Sequence, residues 1–186
     1  MSLGITALNE KMQLWNGCAL AETSNLVMGE GNPHASIMLI GEAPGQKEDE
    51  QTRPFVGASG KFLGELLASI GLKREDVYIT NVVKYRPPDN RDPTSEEKAQ
   101  CLPWLQQEIA IIQPKVIVPL GRHALGNFLP DTTITLAHGK PFPSAKNYVI
   151  FPIHHPAAAL HNGKLRQSLY DDFKALGEYL KSQNLL

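Results

Sequence analysis

The chain has 186 residues, 42% of them hydrophobic, and its 18 Lys and Arg against 19 Asp and Glu give a net charge of -1; one domain over residues 1–186 with a sizeable core is expected. No apolar stretch approaches the roughly 20 residues of a membrane span, and no charged-then-apolar leader opens the chain, so a cytoplasmic protein is expected. Two cysteines, Cys18 and Cys101, exclude a disulfide scaffold, whereas the near-neutral charge decides nothing about nucleic acid, because a basic face can be offset elsewhere.

The spacing predicts a helix over Ile5 to Leu14, then a loop through Gly29-Glu30-Gly31-Asn32-Pro33. The apolar run Ile37 to Ile40 reads as the first strand and ends abruptly in Gly41-Glu42-Ala43-Pro44-Gly45. The segment from Gly41 to Ala58 reads as one loop, too long for a mere connector and therefore functional. Phe62, Leu63, Leu66, Leu67 and Ile70 recur at helical spacing, which predicts a helix over Ser59 to Ser69 closed by Gly71. Val77-Tyr78-Ile79-Thr80 is a second strand ending in Asn81, followed by the Pro-rich loop Arg86-Pro87-Pro88-Asp89-Asn90-Arg91-Asp92-Pro93. Thr94-Ser95-Glu96-Glu97 offers an N-cap and an acidic first turn for a helix running to Ile112. Val116 to Leu120 is a third strand ending in Gly121, with a short helix after it. A hairpin-like stretch is expected over Thr132 to Lys146, then a strand from Tyr148 to Ile153 ending in His154-His155-Pro156, and a last helix over about Lys164 to Leu180. Strands alternating with helices in this way predict an α/β fold, a three-layer α/β/α sandwich around a central four-stranded, mainly parallel sheet.

In an open parallel sheet, ligands bind beyond the carboxyl ends of the strands. Glu42, Asn81 and His155 each follow such an end, so parallel strands bring a carboxylate, an amide and an imidazole to one rim. Each has a plainer account alone: the Gly41 to Gly45 segment is a turn, Asn81 a turn former, and His155 a satisfied loop histidine. Their joint placement is what predicts an active site. Phe55, in Arg53-Pro54-Phe55-Val56-Gly57, either stacks on a flat ring at that rim or folds back onto the core.

Gly41-Glu42-Ala43-Pro44-Gly45, Arg53-Pro54-Phe55-Val56-Gly57, Thr80-Asn81-Val82-Val83-Lys84, Arg86-Pro87-Pro88 with Asn90-Arg91, and His155-Pro156-Ala157-Ala158 occur in this order. The set resembles the family-4, iron-sulfur type of uracil-DNA glycosylase from about Gly17 to Tyr179. The resemblance implies a uracil-DNA glycosylase-like fold and a monomeric DNA-repair enzyme. Its reaction is hydrolysis of the N-glycosidic bond of uracil in DNA, which leaves an abasic site. It also implies a [4Fe-4S] cluster on four cysteines, but the matching positions here are Trp15, Cys18, Tyr85 and Cys101. A cuboidal cluster needs four ligands, commonly all Cys. No cluster and no other cofactor is therefore expected, with Trp15 and Tyr85 filling the volume and Cys18 and Cys101 left as free thiols.

The residues suit that chemistry. A base inside a duplex must be flipped out at a cost of a few kcal/mol, and stacking on Phe55 returns roughly 1–3 kcal/mol. The Asn81 amide has a donor and an acceptor that match uracil O4 and N3–H together. His155 is placed to donate to uracil O2 as charge develops there, and Glu42 to position water or balance a cationic sugar. Gly41 joins Phe55, Asn81 and His155 in the uracil-binding set. Glu48 and Asp49 are read as loop solvation or hydrogen-bonding groups, and the loop Ala43 to Lys47 as the part that rejects the thymine methyl. Lys84, Arg86 and Arg91, with Lys164 and Arg166, are expected phosphate contacts. Leu160 in Ala159-Leu160-His161 is either the wedge that fills the flipped base's gap or a core leucine. His154 has no assigned role. Three alternatives stand beside this reading: a glycosylase for hypoxanthine or xanthine, a catalytically inactive uracil-DNA-binding relic, and a small-molecule nucleotide binder. The last lacks the Gly-Lys-Ser/Thr ending of a phosphate loop.

Overall fold

A computed structural model describes residues 4–160 and 162–186. The regular elements are α1 (Ile5–Gln13), β1 (Glu30–Gly31), β2 (Ile37–Gly41), α2 (Gln46–Gln51), α3 (Ala58–Ser69), β3 (Tyr78–Asn81), α4 (Ser95–Ile112), β4 (Val116–Pro119), α5 (Arg122–Leu125), α6 (Ile134–Ala137), β5 (Phe142–Pro143), β6 (Val149–Ile150) and α7 (Gly163–Ser182). They form a mixed α/β fold whose sheet has the order β1-β3-β2-β4-β6-β5. The three inner pairings are parallel and both edge strands run antiparallel. The sheet thus has six strands where the sequence predicts four. The two additional strands are two residues long, too short to carry a periodic pattern.

Side chains of β2 alternate between two cores, as the pleat requires. Ile37 and Leu39 pack with Phe62, Leu63, Leu66 and Leu67 of α3 and Leu169, Phe173, Leu176 and Leu180 of α7. Met38 and Ile40 face the other way, onto Cys101, Leu105 and Ile112 of α4. All five residues of β2 are buried, which is why the strand reads as a continuous apolar run.

Two local expectations differ from what forms. The Gly41 to Ala58 segment contains α2, whose sequence QKEDEQ has no apolar residue and so gives no helical stripe. The Thr132 to Lys146 stretch is not a hairpin: it holds α6, and its β5 residues pair with β6 instead. Regular pairing of β6 stops at Ile150, yet the chain stays beside β4 through Phe151 N–H to Ile117 O (2.8 Å), Ile153 N–H to Pro119 O (3.1 Å) and the Leu120–Ile153 bridge. Pro152, whose missing N–H faces away from β4, leaves these bonds intact. Among the described residues no helix is long and apolar enough to cross a membrane.

Helix α4 begins as the sequence predicts. Thr94 Oγ1 accepts from Glu97 N–H (3.2 Å) and Glu97 Oε2 accepts from Thr94 N–H (2.8 Å), a reciprocal capping box. Thr94→Ala is expected to lower the free energy of unfolding by about 1 kcal/mol, read as a lower urea midpoint at unchanged slope. An unchanged midpoint would contradict the cap's contribution.

Candidate active site

The sheet brings the predicted rim together. Gly41 of β2 is directly opposite Asn81 of β3, and the Leu120–Ile153 bridge levels the ends of β4 and the strand leading to His155. From β2 the chain moves to β3 on one side and then crosses to β4 on the other, so Glu42 lies where the strand order reverses, the usual ligand position of such sheets. A cavity of about 340 Å³ opens there, with Glu42, Phe55, Asn81, Arg91, Asp92 and His155 among its walls. That volume falls within the roughly 300–1,000 Å³ of small-ligand sites.

Gly41 underlies the floor rather than lining it. A Cβ at this position would stand 2.3 Å from Asn81 Oδ1 and 2.6 Å from Phe55 Cζ, so the close approach of those two side chains depends on the bare glycine. Asn81 is 2% exposed, and its side-chain amide has no hydrogen-bond partner among the described residues.

Phe55 satisfies both readings of its sequence context. It is 5% exposed and belongs to the core that α3 and α7 share, yet it also forms part of the cavity wall, with its ring centre 5.7 Å from that of His155. Its φ of 52° is left-handed, a cost for an aromatic residue that the surroundings must enforce. They do so from three sides. Arg74 donates to Phe55 O (2.8 Å) and Pro54 O (2.7 Å). Glu48 Oε1 accepts from Val56 N–H (2.9 Å) and Gly57 N–H (2.7 Å). Gly60 of α3 leaves room for the Phe55 carbonyl, which a Cβ would meet at 1.9 Å. Glu48 therefore shapes the loop, as the sequence suggests, while Arg74 is a brace the sequence does not single out. Asp49 Oδ1 likewise accepts from Asn25 N–H at 2.7 Å.

Lys84 is a correction. Expected as a phosphate contact, it is fully buried beneath β3, where its ammonium donates to Thr80 Oγ1 (2.7 Å), Asn81 O (2.8 Å) and Glu108 Oε2 (2.7 Å). The chain turns inward after Asn81, and Glu108 of α4 is the buried acid that draws the lysine in.

The two titratable residues at the rim have opposite electrostatics. Glu42 is half-buried; desolvation pushes its carboxyl up to about 7, Asp92 adds to the rise, and Lys98 and Arg122 oppose it. Its Oε1 is enclosed without a hydrogen bond. Burial holds the His155 imidazole down at about 4, with Glu48 opposing and His123 adding to the effect. Nδ1 of His155 accepts from Ala157 N–H at 3.1 Å, so the neutral ring carries its proton on Nε2, free to donate. His123 and Asp92 stand beside Glu42. The sequence marks the Gly121 strand end as part of the rim but assigns no residue there, because His123 lies one step inside a four-residue helix.

The expected DNA contacts are less gathered. Arg91 borders the cavity but is held by Glu97 through two bonds of 2.9 and 2.6 Å. Arg86 bonds Asn90 Oδ1 (2.7 Å). Arg166 lies over the Phe62 ring (4.0 Å) and pairs with Glu65 (2.7 Å), while Lys164 is exposed in the first turn of α7. Leu160 is half-buried against the core. Ala157, one turn before it, lines the cavity, and His161 lies outside the described residues.

At the four positions matched to cluster ligands, Cys18 and Cys101 are 1% and 0% exposed and free. Trp15 packs on Tyr85 (ring centres 5.9 Å apart) and on Trp104 (5.5 Å). Tyr85 Oη donates to Trp15 O at 3.0 Å, and Cys101 Sγ accepts from Lys84 N–H at 3.5 Å. Burial pushes the Cys101 thiol up to about 12, the reverse of a ready thiolate ligand. Two thiols and two mutually bonded aromatic residues do not fit a four-iron cluster.

Comparison with known proteins agrees with this geometry. The family model of the uracil DNA glycosylase superfamily matches residues 28–180. A type-4 uracil-DNA glycosylase of Archaeoglobus fulgidus is 49% identical over 170 residues, covering 87% of this chain and 85% of that protein. One from Sulfurisphaera tokodaii is 46% identical, covering 91% and 79%, and one from Thermotoga maritima 41% identical, covering 95% and 94%. The match spans both cores of the sheet and every residue of the cavity rim, and the chain belongs to the uracil-DNA glycosylase superfamily, alongside its type-4 members.

Proposed function

We propose that this chain is a uracil-DNA glycosylase: it hydrolyses the N-glycosidic bond of uracil flipped out of DNA and leaves an abasic site, without an iron-sulfur cluster. The observation that carries the reading is the convergence of Glu42, Phe55, Asn81 and His155 on one cavity at the reversal of strand order. Phe55 offers a ring for the base to stack on, and the unpartnered Asn81 amide matches uracil O4 and N3–H. The neutral His155, with Nε2–H free, donates to uracil O2 as the bond breaks and negative charge gathers on the base. Glu42, once ionised, orients water toward the sugar carbon and balances the positive charge there. Ala43, Pro44 and Gly45, which also line the cavity, are the part of the Ala43 to Lys47 segment suited to reject the thymine methyl by shape. Arg86, Arg91, Lys164 and Arg166 serve the DNA backbone, and Leu160 supplies the wedge.

The test is base release from a uracil-containing oligonucleotide, with alkaline cleavage reporting abasic sites. Wild type should release uracil, and Asn81→Ala and His155→Ala should each be slower by about tenfold or more, roughly 1.4 kcal/mol of barrier. Release of hypoxanthine or xanthine in place of uracil would shift the substrate. Uracil-DNA binding with no release from single- or double-stranded DNA would make the chain a binding relic.

A further inference from the structure

Glu42 has a neighbour that the sequence motifs do not contain. His123, in α5 at the end of β4, holds Nδ1 3.3 Å from Glu42 Oε1 and Nε2 3.1 Å from Asp92 Oδ2. Arg122 Nε donates to His123 Nε2 at 2.8 Å, and Arg122 Nη2 to Asp92 Oδ2 at 3.0 Å. Lys98 Nζ of α4 stands 3.4 Å from Nδ1. Nε2 thus faces both a donor, Arg122, and an acceptor, Asp92, and Nδ1 faces both the Lys98 ammonium and the Glu42 carboxylate, so either tautomer of the neutral ring finds partners here. Asp92 and Arg122 have 60% and 70% of their side chains exposed, against 23% for His123 and 22% for Glu42. The cluster thus runs from the cavity wall to solvent, with the imidazole as its enclosed centre.

We propose that His123 is a positioning residue for Glu42: its ring, packed against Oε1, shuts water away from that oxygen and together with Asp92 decides the pH below which Glu42 stops working. The proposal rests on the reading that Glu42 acts as a carboxylate on the hydrolytic water. The groups facing Glu42 are Asp92 from the Pro-rich loop, Lys98 from α4, and Arg122 and His123 from α5. Their signs make opposite predictions. Removing the ring admits water, which favours the ionised carboxylate, and removing the Asp92 charge does the same; removing the Arg122 or Lys98 charge disfavours it. His123 itself is held below the ordinary histidine range, by burial first and by Lys98 and Arg122 in addition, with Asp92 opposing. It therefore acts as a neutral ring where Glu42 titrates.

The experiment is single-turnover uracil release against pH for His123→Ala, Asp92→Asn, Arg122→Gln and Glu42→Gln beside wild type. His123→Ala and Asp92→Asn should move the acidic limb downward by about 0.5–1 pH unit, so that each retains about 2.5- to 5-fold more of its own plateau rate at pH 6 than wild type does. Arg122→Gln should move the limb upward. Limbs that coincide with wild type in His123→Ala and Asp92→Asn overturn the proposal, even if plateau rates fall, because lost packing alone scales the rate without moving the limb. A Glu42→Gln variant that keeps the wild-type rate and limb would instead sink the role of Glu42 itself, which separates the two failures.

Discussion

Glu108→Ala should lower the free energy of unfolding by about 3–5 kcal/mol, because it strands the Lys84 ammonium in the interior. Lys84 and Glu108 both have fully buried side chains, and the lysine's three donors are all used, on Thr80, Asn81 O and Glu108. The carboxylate also accepts from Thr80 (3.1 Å) and lies 3.4 Å from the Tyr78 hydroxyl. Deleting it leaves an uncompensated charge next to two cores, a large fraction of the roughly 5–15 kcal/mol that stabilises a domain. The paired variant Lys84→Met/Glu108→Leu removes both charges together and should recover most of the loss, since apolar replacement of a buried ion pair is often neutral or better. Urea unfolding at neutral pH reads both. Equal destabilisation by the single and the paired change would mean that packing, and not the stranded charge, sets the cost. The network also has a functional edge: Lys84 grips the carbonyl of Asn81, so a paired variant restored in stability but slow in base release would show that the grip positions the amide.

Much of this arrangement is legible in the sequence, and the exceptions have physical causes. The inner strands β2, β3 and β4 are buried on both faces and announce themselves as apolar runs, and α3 and α4 carry an apolar stripe and a capping box. Glu42, Asn81 and His155 are legible because strand ends are visible in sequence and a parallel sheet places those ends together. Lys84 is misread because a lysine beside arginines in a Pro-rich loop looks solvated, and its burial depends on Glu108, 24 residues away. No local pattern carries that pairing. The polar helix α2 escapes for the opposite reason: it is held by its loop and not by an apolar face. His123 is invisible because its meaning comes entirely from Asp92 and Glu42, which tertiary structure alone brings within reach.

The position of Glu42 makes the second large prediction a matter of charge and pH. Its carboxyl is pushed up to about 7, chiefly by desolvation, while the His155 imidazole is held down at about 4. Glu42 orients water as the ionised carboxylate, and His155 donates from Nε2 as the neutral ring, so both are in their working forms above about pH 7. As pH falls through 7, Glu42 gains a proton while His155 stays neutral. Uracil release by wild type should therefore fall about tenfold between its plateau and pH 6, one unit below the Glu42 midpoint. A single limb near pH 4 would instead place control at His155. Glu42→Gln keeps the size and one acceptor oxygen but cannot ionise. It should reduce the plateau rate by about 10²–10⁴, the usual contribution of a positioned acid or base, and flatten the profile between pH 5.5 and 8. Uracil-DNA affinity should change far less than the rate, because the base's contacts with Phe55, Asn81 and His155 remain. A variant that binds normally, releases uracil slowly and no longer responds to pH would assign both the water and the acidic limb to this one carboxylate; a fast Glu42→Gln variant with its limb intact would move them elsewhere in the cavity.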